Sequence, residues 1–186
     1  MADQIENEKK KLISSLMRKI PDFPKPGILF CLIFYRDICP LLKHPEAFSA
    51  AIDLLTSHIK DTYPNVELIV GLDARGFLFG PGIAIKLGVG FVPVRKQGKL
   101  PGETVSIPCE KEYGKDMLEM QKDAIASGQK VVIVDDLLAT GGTLLTSCKL
   151  VEQQEGIVLG CVVLFELTEL NGAGRLPVKC FSLLQS

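Results

Sequence analysis

Apolar positions along this chain come in short runs, separated by glycine, proline and polar residues. Near the start, Ile5, Leu12, Ile13, Leu16, Met17 and Ile20 share one helical face, which predicts a helix over residues 3–20. Pro21, Pro24, Pro26 and Gly27 stop it and impose an irregular, extended segment. A second helix is expected from Pro45, a residue suited to a first helical turn, with Phe48, Ile52, Leu55 and Ile59 as its buried stripe. Beyond it the period changes. Residues 68–72, 91–94, 131–134 and 157–167 read as short apolar strands, and residues 76–87 and 143–154 as helices. The last of these helices turns Leu144, Cys148 and Val151 inward and is ended by Gly156. Strands alternating with helices predict an α/β fold, a single domain over 1–186 with a central, mostly parallel twisted sheet flanked by helices. Residues 97–128 fit least well. They are polar, contain Gly98, Gly102 and Gly114, and suit a hairpin or a mobile loop, with Leu118 and Met120 beginning a strand.

Composition narrows the chemistry mainly by exclusion. A length of 186 residues suits one domain with a real core, and 47% hydrophobic with 23% charged residues is an ordinary soluble balance. A formal net charge of −1 gives no general attraction to nucleic acid or anionic membrane, so any anion site must be built locally. The six cysteines form no CxxC pair and the two histidines, His44 and His58, have none nearby, which argues against zinc and for free thiols in a reducing compartment. The N-terminal MADQIENEKKK lacks the apolar core of a secretory signal, and the run 28–35 is too short to span a bilayer, so a cytoplasmic location is expected.

The stretch VVIVDDLLATGGT, residues 131–143, carries the most information. Thr140, Gly141, Gly142 and Thr143 between a strand and a helix suit a phosphate cradle of backbone N–H groups, hydroxyls and helix N-terminus. The lysine of GxxxxGK[ST] is missing, and so is GxGxxG. Asp135 and Asp136 should repel a phosphate, yet two carboxylates can accept hydrogen bonds from a vicinal diol. A ribose 5-phosphate moiety satisfies both halves. The alternative is that the two acids cap the helix while the glycines make a tight turn. A second cradle is suggested by LIVGLDARGF, where Arg75 stands at a turn between strand and helix, and positive charge by Arg95, Lys96 and Lys99 around Gly98.

These residues resemble the type I phosphoribosyltransferases. VVIVDDLLATGGT is similar to their donor-binding signature, and its wording DDLLATGGT to the branch acting on adenine. PDFPKPGI, RDICPLLK, GLDARGFLFGP, RKQGKLPGE, EYGK, QKDAI and FELTEL extend the resemblance across nearly the whole chain. It implies transfer of ribose 5-phosphate from phosphoribosyl diphosphate to adenine, giving AMP and pyrophosphate, with Mg²⁺ bound mainly through substrate. It implies a homodimer, an N-terminal hood within residues 1–40 and a flexible catalytic loop over 97–116. Carried over by matching segments, Asp135, Asp136, Ala139, Thr140, Gly141, Gly142 and Thr143 would hold the ribose 5-phosphate, and Asp73, Ala74, Arg75, Arg95, Lys96 and Lys99 the pyrophosphate. Glu112 would be the catalytic acid–base group and Tyr113 its neighbour in the closing loop. Leu29, Arg36 and Leu167 would contact adenine, and a non-proline cis peptide is implied in the 73–75 loop. The chain departs from the family at PGILFCLIFYRDI, which carries extra apolar residues, so the backbone contact to the base could instead shift toward Phe34 or Tyr35. Two alternatives stay open: transfer to a 6-oxopurine, and a non-catalytic sensor of the donor.

Overall fold

The computed structural model describes residues 2–20, 35–110 and 115–186, and the chain divides into two compact units, 1–54 and 55–186. In the first unit, helix α1 (Ala2–Ser15) stops short of the predicted residue 20. Its end tightens, with the N–H groups of Leu16 and Met17 donating to the carbonyls of Ile13 and Ser14 at 3.2 Å. The chain then extends as β1 (Arg18–Ile20) and pairs antiparallel with β2 (Tyr35–Asp37). Pairing with a distant segment thus overrides the local period that put Ile20 on the helix. Of the predicted face, Ile13 and Met17 are buried and Ile5 is exposed. The irregular segment after Pro21, the apolar departure through Phe34, and Leu29 lie outside the described residues.

A short helix α2 (Cys39–Lys43) has no counterpart in the predicted elements. Helix α3 (Pro45–Thr62) starts at the expected proline. Its fully buried row is Ala47, Ala51, Leu55 and Ile59, an i, i+4 series, whereas Phe48 and Ile52 are only half-buried. Small alanines carry the face that the apolar pattern credits to larger neighbours.

The second unit contains β3 (Leu68–Leu72), β4 (Gly90–Lys96), β5 (Thr104–Glu110), β6 (Lys115–Gln121), β7 (Lys130–Leu138), β8 (Ile157–Glu166) and β9 (Cys180–Gln185). They form one sheet in the order β5-β6-β4-β3-β7-β8-β9. β4, β3, β7, β8 and β9 pair in parallel, and β5 and β6 add antiparallel strands at one edge. Within residues 97–128, segments 104–110 and 115–121 thus pair as a hairpin would, with Leu118 and Met120 on β6. Every residue of β3 is buried, as a parallel strand covered on both faces requires. Strand β9, with only Leu183 buried, lacks the apolar run by which its neighbours are recognised.

The helix predicted from residue 76 is instead a 3₁₀ turn (Arg75–Leu78) followed by α4 (Gly80–Leu87). Pro81 lacks an N–H and its ring would crowd the carbonyl four residues back, so regular helical bonding restarts at Gly80. Helix α5 (Gly142–Gln153) packs on β5, β7 and β8 through its buried Leu144, Cys148 and Val151. Its end also departs from expectation. Glu155, not Gly156, takes the left-handed conformation (φ 62), while the Gly156 and Glu155 N–H groups donate to Val151 and Glu152 carbonyls. Gly156 is needed for space, since a Cβ there would lie 2.8 Å from side chains of Ile125 and Val151.

The Phe91 ring sits between Gly71 of β3 and Gly80 of α4; a Cβ on either would approach it to 2.5 Å. Gly80→Ala gains about 1 kcal/mol of helix propensity, but overpacking costs roughly 1–3 kcal/mol and the ring cannot retreat toward Gly71. The variant should melt below the wild type in a thermal scan, and adding Phe91→Leu should return part of the loss.

Candidate active site

Strands β3 and β7 are neighbours, but the sheet continues from them in opposite directions, to β4 on one side and β8 on the other. Such a switch point opens a crevice at the carboxyl ends of the strands. An overhang deepens it: β3 pairs with β7 only as far as Gly71↔Val134, whereas β8 follows β7 to Leu138. The free edge of β7 from Asp135 to Leu138 faces a cleft of about 240 Å³. Asp73, Ala74 and Arg75 wall it from the end of β3, Lys96 from β4, Leu118 from β6, and residues 139–144 from the turn into α5.

Asp135 and Asp136 thus belong to the strand rather than to the loop in which the motif suggests they stand. The strand placement rules out helix capping by these acids. Gly141 is the N-cap of α5, at φ 81, and no side chain caps that end. Gly141 is required there twice over, since a Cβ would need a left-handed backbone and would lie 2.7 Å from the Gly172 carbonyl oxygen. Gly172 is equally constrained, because its own Cβ would overlap the Ala139 carbonyl oxygen. Arg175 closes this contact by donating from a guanidinium N–H to the Thr140 carbonyl at 2.9 Å. The turn over residues 171–175 therefore backs the cradle. Its NGAG wording is the one sequence signal for this, and it is a weak one.

The two loops that would hold opposite ends of a donor touch each other. Arg75 Nε lies 3.0 Å from Asp136 Oδ2, and Asp136 is buried. Gly76 permits the approach: a Cβ there would sit 2.6 Å from the Val134 carbonyl oxygen. Asp73 and Ala74 are joined by a cis peptide bond, in the loop where the resemblance implied one. Asp73 Oδ2 accepts from Arg95 Nε at 2.9 Å, and a terminal N–H of Arg95 donates to the Lys99 carbonyl at 3.1 Å. Arg95 is thereby engaged beside the cleft, while Lys96 lines it and lies 3.2 Å from Asp116. Lys99 is exposed, with its backbone N–H donating to Glu119 Oε1 at 2.9 Å.

Burial and the adjacent Asp136 charge push the Asp135 carboxyl well above the ordinary carboxylate range. Burial raises Asp136 as well, with the Arg75 guanidinium offsetting part of that rise. Glu119 goes the other way. Burial opposes its charge, but the N–H groups of Leu100, Gly98 and Lys99 and the Thr104 hydroxyl outweigh burial and lower it. The sequence pattern missed Glu119, because an acid within an alternating strand reads as a solvent-facing position.

The remaining candidates stand on other elements or outside the described residues. Leu167 is buried at the end of β8, its N–H donating to the Leu138 carbonyl at 2.9 Å. Arg36 lies on β2 in the first unit. Glu112 and Tyr113 fall outside the described residues. Among the described residues no group of three or more His, Cys, Asp or Glu side chains could hold a metal ion, and no helix is long and apolar enough to cross a membrane. The described cysteines form no disulfide, but burial holds only for Cys109, Cys148 and Cys161; Cys180 is half-buried and Cys39 is exposed.

A profile of the phosphoribosyl transferase domain family matches residues 40–184, and the chain belongs to that family. It is 57% identical over 177 residues to the adenine phosphoribosyltransferase of Mus musculus, covering 94% of this chain and 96% of that relative. The solved adenine phosphoribosyltransferase of Saccharomyces cerevisiae, in complex with an imino-altritol bisphosphate and adenine, superposes with a TM-score of 0.89 at 42% identity, covering 96% of this chain and 99% of the other. That of Thermoanaerobacter pseudethanolicus gives a TM-score of 0.88 at 49% identity over 95% and 99% of the two chains.

The raised Asp135 carboxyl has a consequence for the ligand-free protein. A folded value above the unfolded one contributes stability that is complete at acid pH and is lost as pH rises toward the raised value. Asp135→Asn removes that loss, so its melting temperature at pH 7.5 should exceed that of the wild type. The gain should vanish below about pH 4, where the unfolded carboxyl is itself protonated.

Proposed function

We propose that this chain is a purine-salvage enzyme that transfers ribose 5-phosphate from phosphoribosyl diphosphate to adenine, releasing AMP and pyrophosphate. The observation that carries the proposal is the free edge of β7, where two acids run directly into an uncapped glycine cradle. Near-full-length similarity to adenine phosphoribosyltransferases supports the choice of base.

In this reading the ribose diol donates to Asp135 and Asp136, and the 5-phosphate accepts from the amides and hydroxyls over 139–143. Hydroxyl donors suit these positions because burial disfavours the carboxylate charge, and each hydrogen bond returns part of that cost. Asp73, Ala74 and Arg75 hold the pyrophosphate, with Lys96 adding charge from β4 and Lys99 from the turn beyond it. Arg95 acts there through Asp73 and the Lys99 carbonyl, since its guanidinium is already engaged. The bond from C1 to the pyrophosphate oxygen breaks and one from C1 to the purine nitrogen forms, while Glu112 takes up the proton the purine loses. Tyr113 helps close the loop and exclude water, which would otherwise compete for C1. Leu167 and Arg36 position adenine, with Leu29 supplying a backbone contact. The pyrophosphate site would receive Mg²⁺ only as a complex with the donor, and the metal would there supply neutralisation of charge on the leaving group. The enzyme acts in the cytosol as a homodimer, with the whole chain as one phosphoribosyltransferase domain.

A spectrophotometric assay with each base tests the reaction. AMP should form with adenine and Mg²⁺ and should stop when the metal is chelated. Guanine and hypoxanthine should be poor substrates; efficient turnover of hypoxanthine without adenine turnover would overturn the choice of base. Glu112→Gln should lower turnover by about 10²–10⁴-fold while donor affinity survives, and an unchanged rate would remove Glu112 from proton transfer.

A further inference from the structure

Two buried acids, Glu119 and Glu166, stand outside the cleft lining, and Glu119 is the more deeply buried. Glu119, on β6, is 2% exposed, yet it neither lines the cleft nor meets a cationic side chain in any described contact. Its partners are donors from the turn after β4 and from Thr104 at the start of β5. Oε1 accepts the N–H groups of Lys99 and Leu100, both at 2.9 Å, and Oε2 accepts the Thr104 hydroxyl at 3.3 Å. A carboxylate is an acceptor only, which matches surroundings made of donors. The same turn presents the Lys99 carbonyl to Arg95, whose Nε grips Asp73 at the cleft.

These contacts form one continuous series. It runs from Glu119 through the Lys99 peptide to Arg95 and Asp73, and the adjoining loop delivers Arg75 to Asp136. Glu119 and Arg95 are also direct cross-strand partners in the β4–β6 pairing, so the turn that leaves β4 is clamped at its base. The turn is rich in glycine and proline, GKLPG, and its exposed residues offer little packing to fix it otherwise.

We propose that Glu119 is a positioning residue for the pyrophosphate end of the site. Its carboxylate sets the 98–100 turn, the turn orients Arg95, and Arg95 fixes the Asp73–Arg75 loop in the shape that receives the leaving group. This rests on the proposed transferase function, since the loop has a pyrophosphate to receive only if the donor binds there. Glu119 itself touches no substrate. Its removal should be felt by ligands that carry a pyrophosphate and not by those that end at the ribose 5-phosphate.

Calorimetric titration with Mg²⁺–phosphoribosyl diphosphate and, separately, with AMP tests this. Glu119→Ala should weaken the donor about tenfold or more, the scale expected for losing a cluster of charge-assisted hydrogen bonds, and leave AMP within about twofold, inside the scatter for uncoupled sites. Glu119→Gln should keep most of the donor affinity, because the amide oxygen still accepts both N–H groups and the amide nitrogen can donate to Thr104. Glu119→Asp keeps the charge but is one methylene short, and should fall below Gln. The double variant Glu119→Ala/Arg95→Ala should bind the donor no more weakly than Arg95→Ala alone. Equal losses for donor and AMP, or additive effects of Glu119 and Arg95, would overturn the inference. Should the alanine variant not fold, the Asp and Gln variants decide it: equal donor affinity in the two is the contrary result. A wild-type chain that binds neither ligand would instead sink the proposed function, and this inference with it.

Discussion

The ion pair between Arg75 and Asp136 joins the two halves of the cleft, and the rest of the site is arranged around making it possible. The pairing of β3 with β7 ends four residues before β7 does, which frees the edge on which the acids stand. Gly76 lets the following turn come down onto that edge, and Arg75 then reaches an aspartate that is buried. Without the guanidinium, two adjacent carboxylates at the rim of a core would strongly disfavour each other's charge. With it, one acid is neutralised locally, and the other is left with its carboxyl raised and its hydrogen-bonding capacity available to a ligand. An arrangement of this kind favours a ligand that brings hydroxyl donors to the acids and an anion to the neighbouring amides.

The supporting structure is largely backbone against backbone. The cradle turn over 139–142 is packed so closely against residues 171–175 that neither Gly141 nor Gly172 has room for a methyl group. α5 is anchored below by Leu144, Cys148 and Val151, all fully or almost fully buried. The amides at its start are therefore fixed before any ligand arrives, which reduces the ordering cost of binding. The hairpin of β5 and β6 adds a second kind of support, a buried acid whose partners are main-chain groups of the adjoining turn.

The parallel core and the β7–α5 cradle were legible because each has a local signature: unbroken apolar runs for strands buried on both faces, and glycines where strand becomes helix. Where a distant partner decides the structure, the pattern misled. Ile20 belongs to a strand because residues 35–37 pair with it, and Ala47 and Ala51 carry a face that size alone would give to Phe48 and Ile52. Asp135 and Asp136 look like loop residues because polar residues usually end a strand, and only the register with β8 shows that this one continues. Glu119, Gly172 and Arg175 were invisible for a related reason, since each acts through main-chain atoms of a segment far away in sequence.

A crystal structure with AMP bound is the most direct measurement of whether the acid pair and the cradle serve a single ligand. The expected result has the ribose hydroxyls donating to Asp135 and Asp136 and the phosphate oxygens accepting from the backbone over residues 139–143. AMP seated elsewhere, or bound with its ribose turned away from both aspartates, would contradict it.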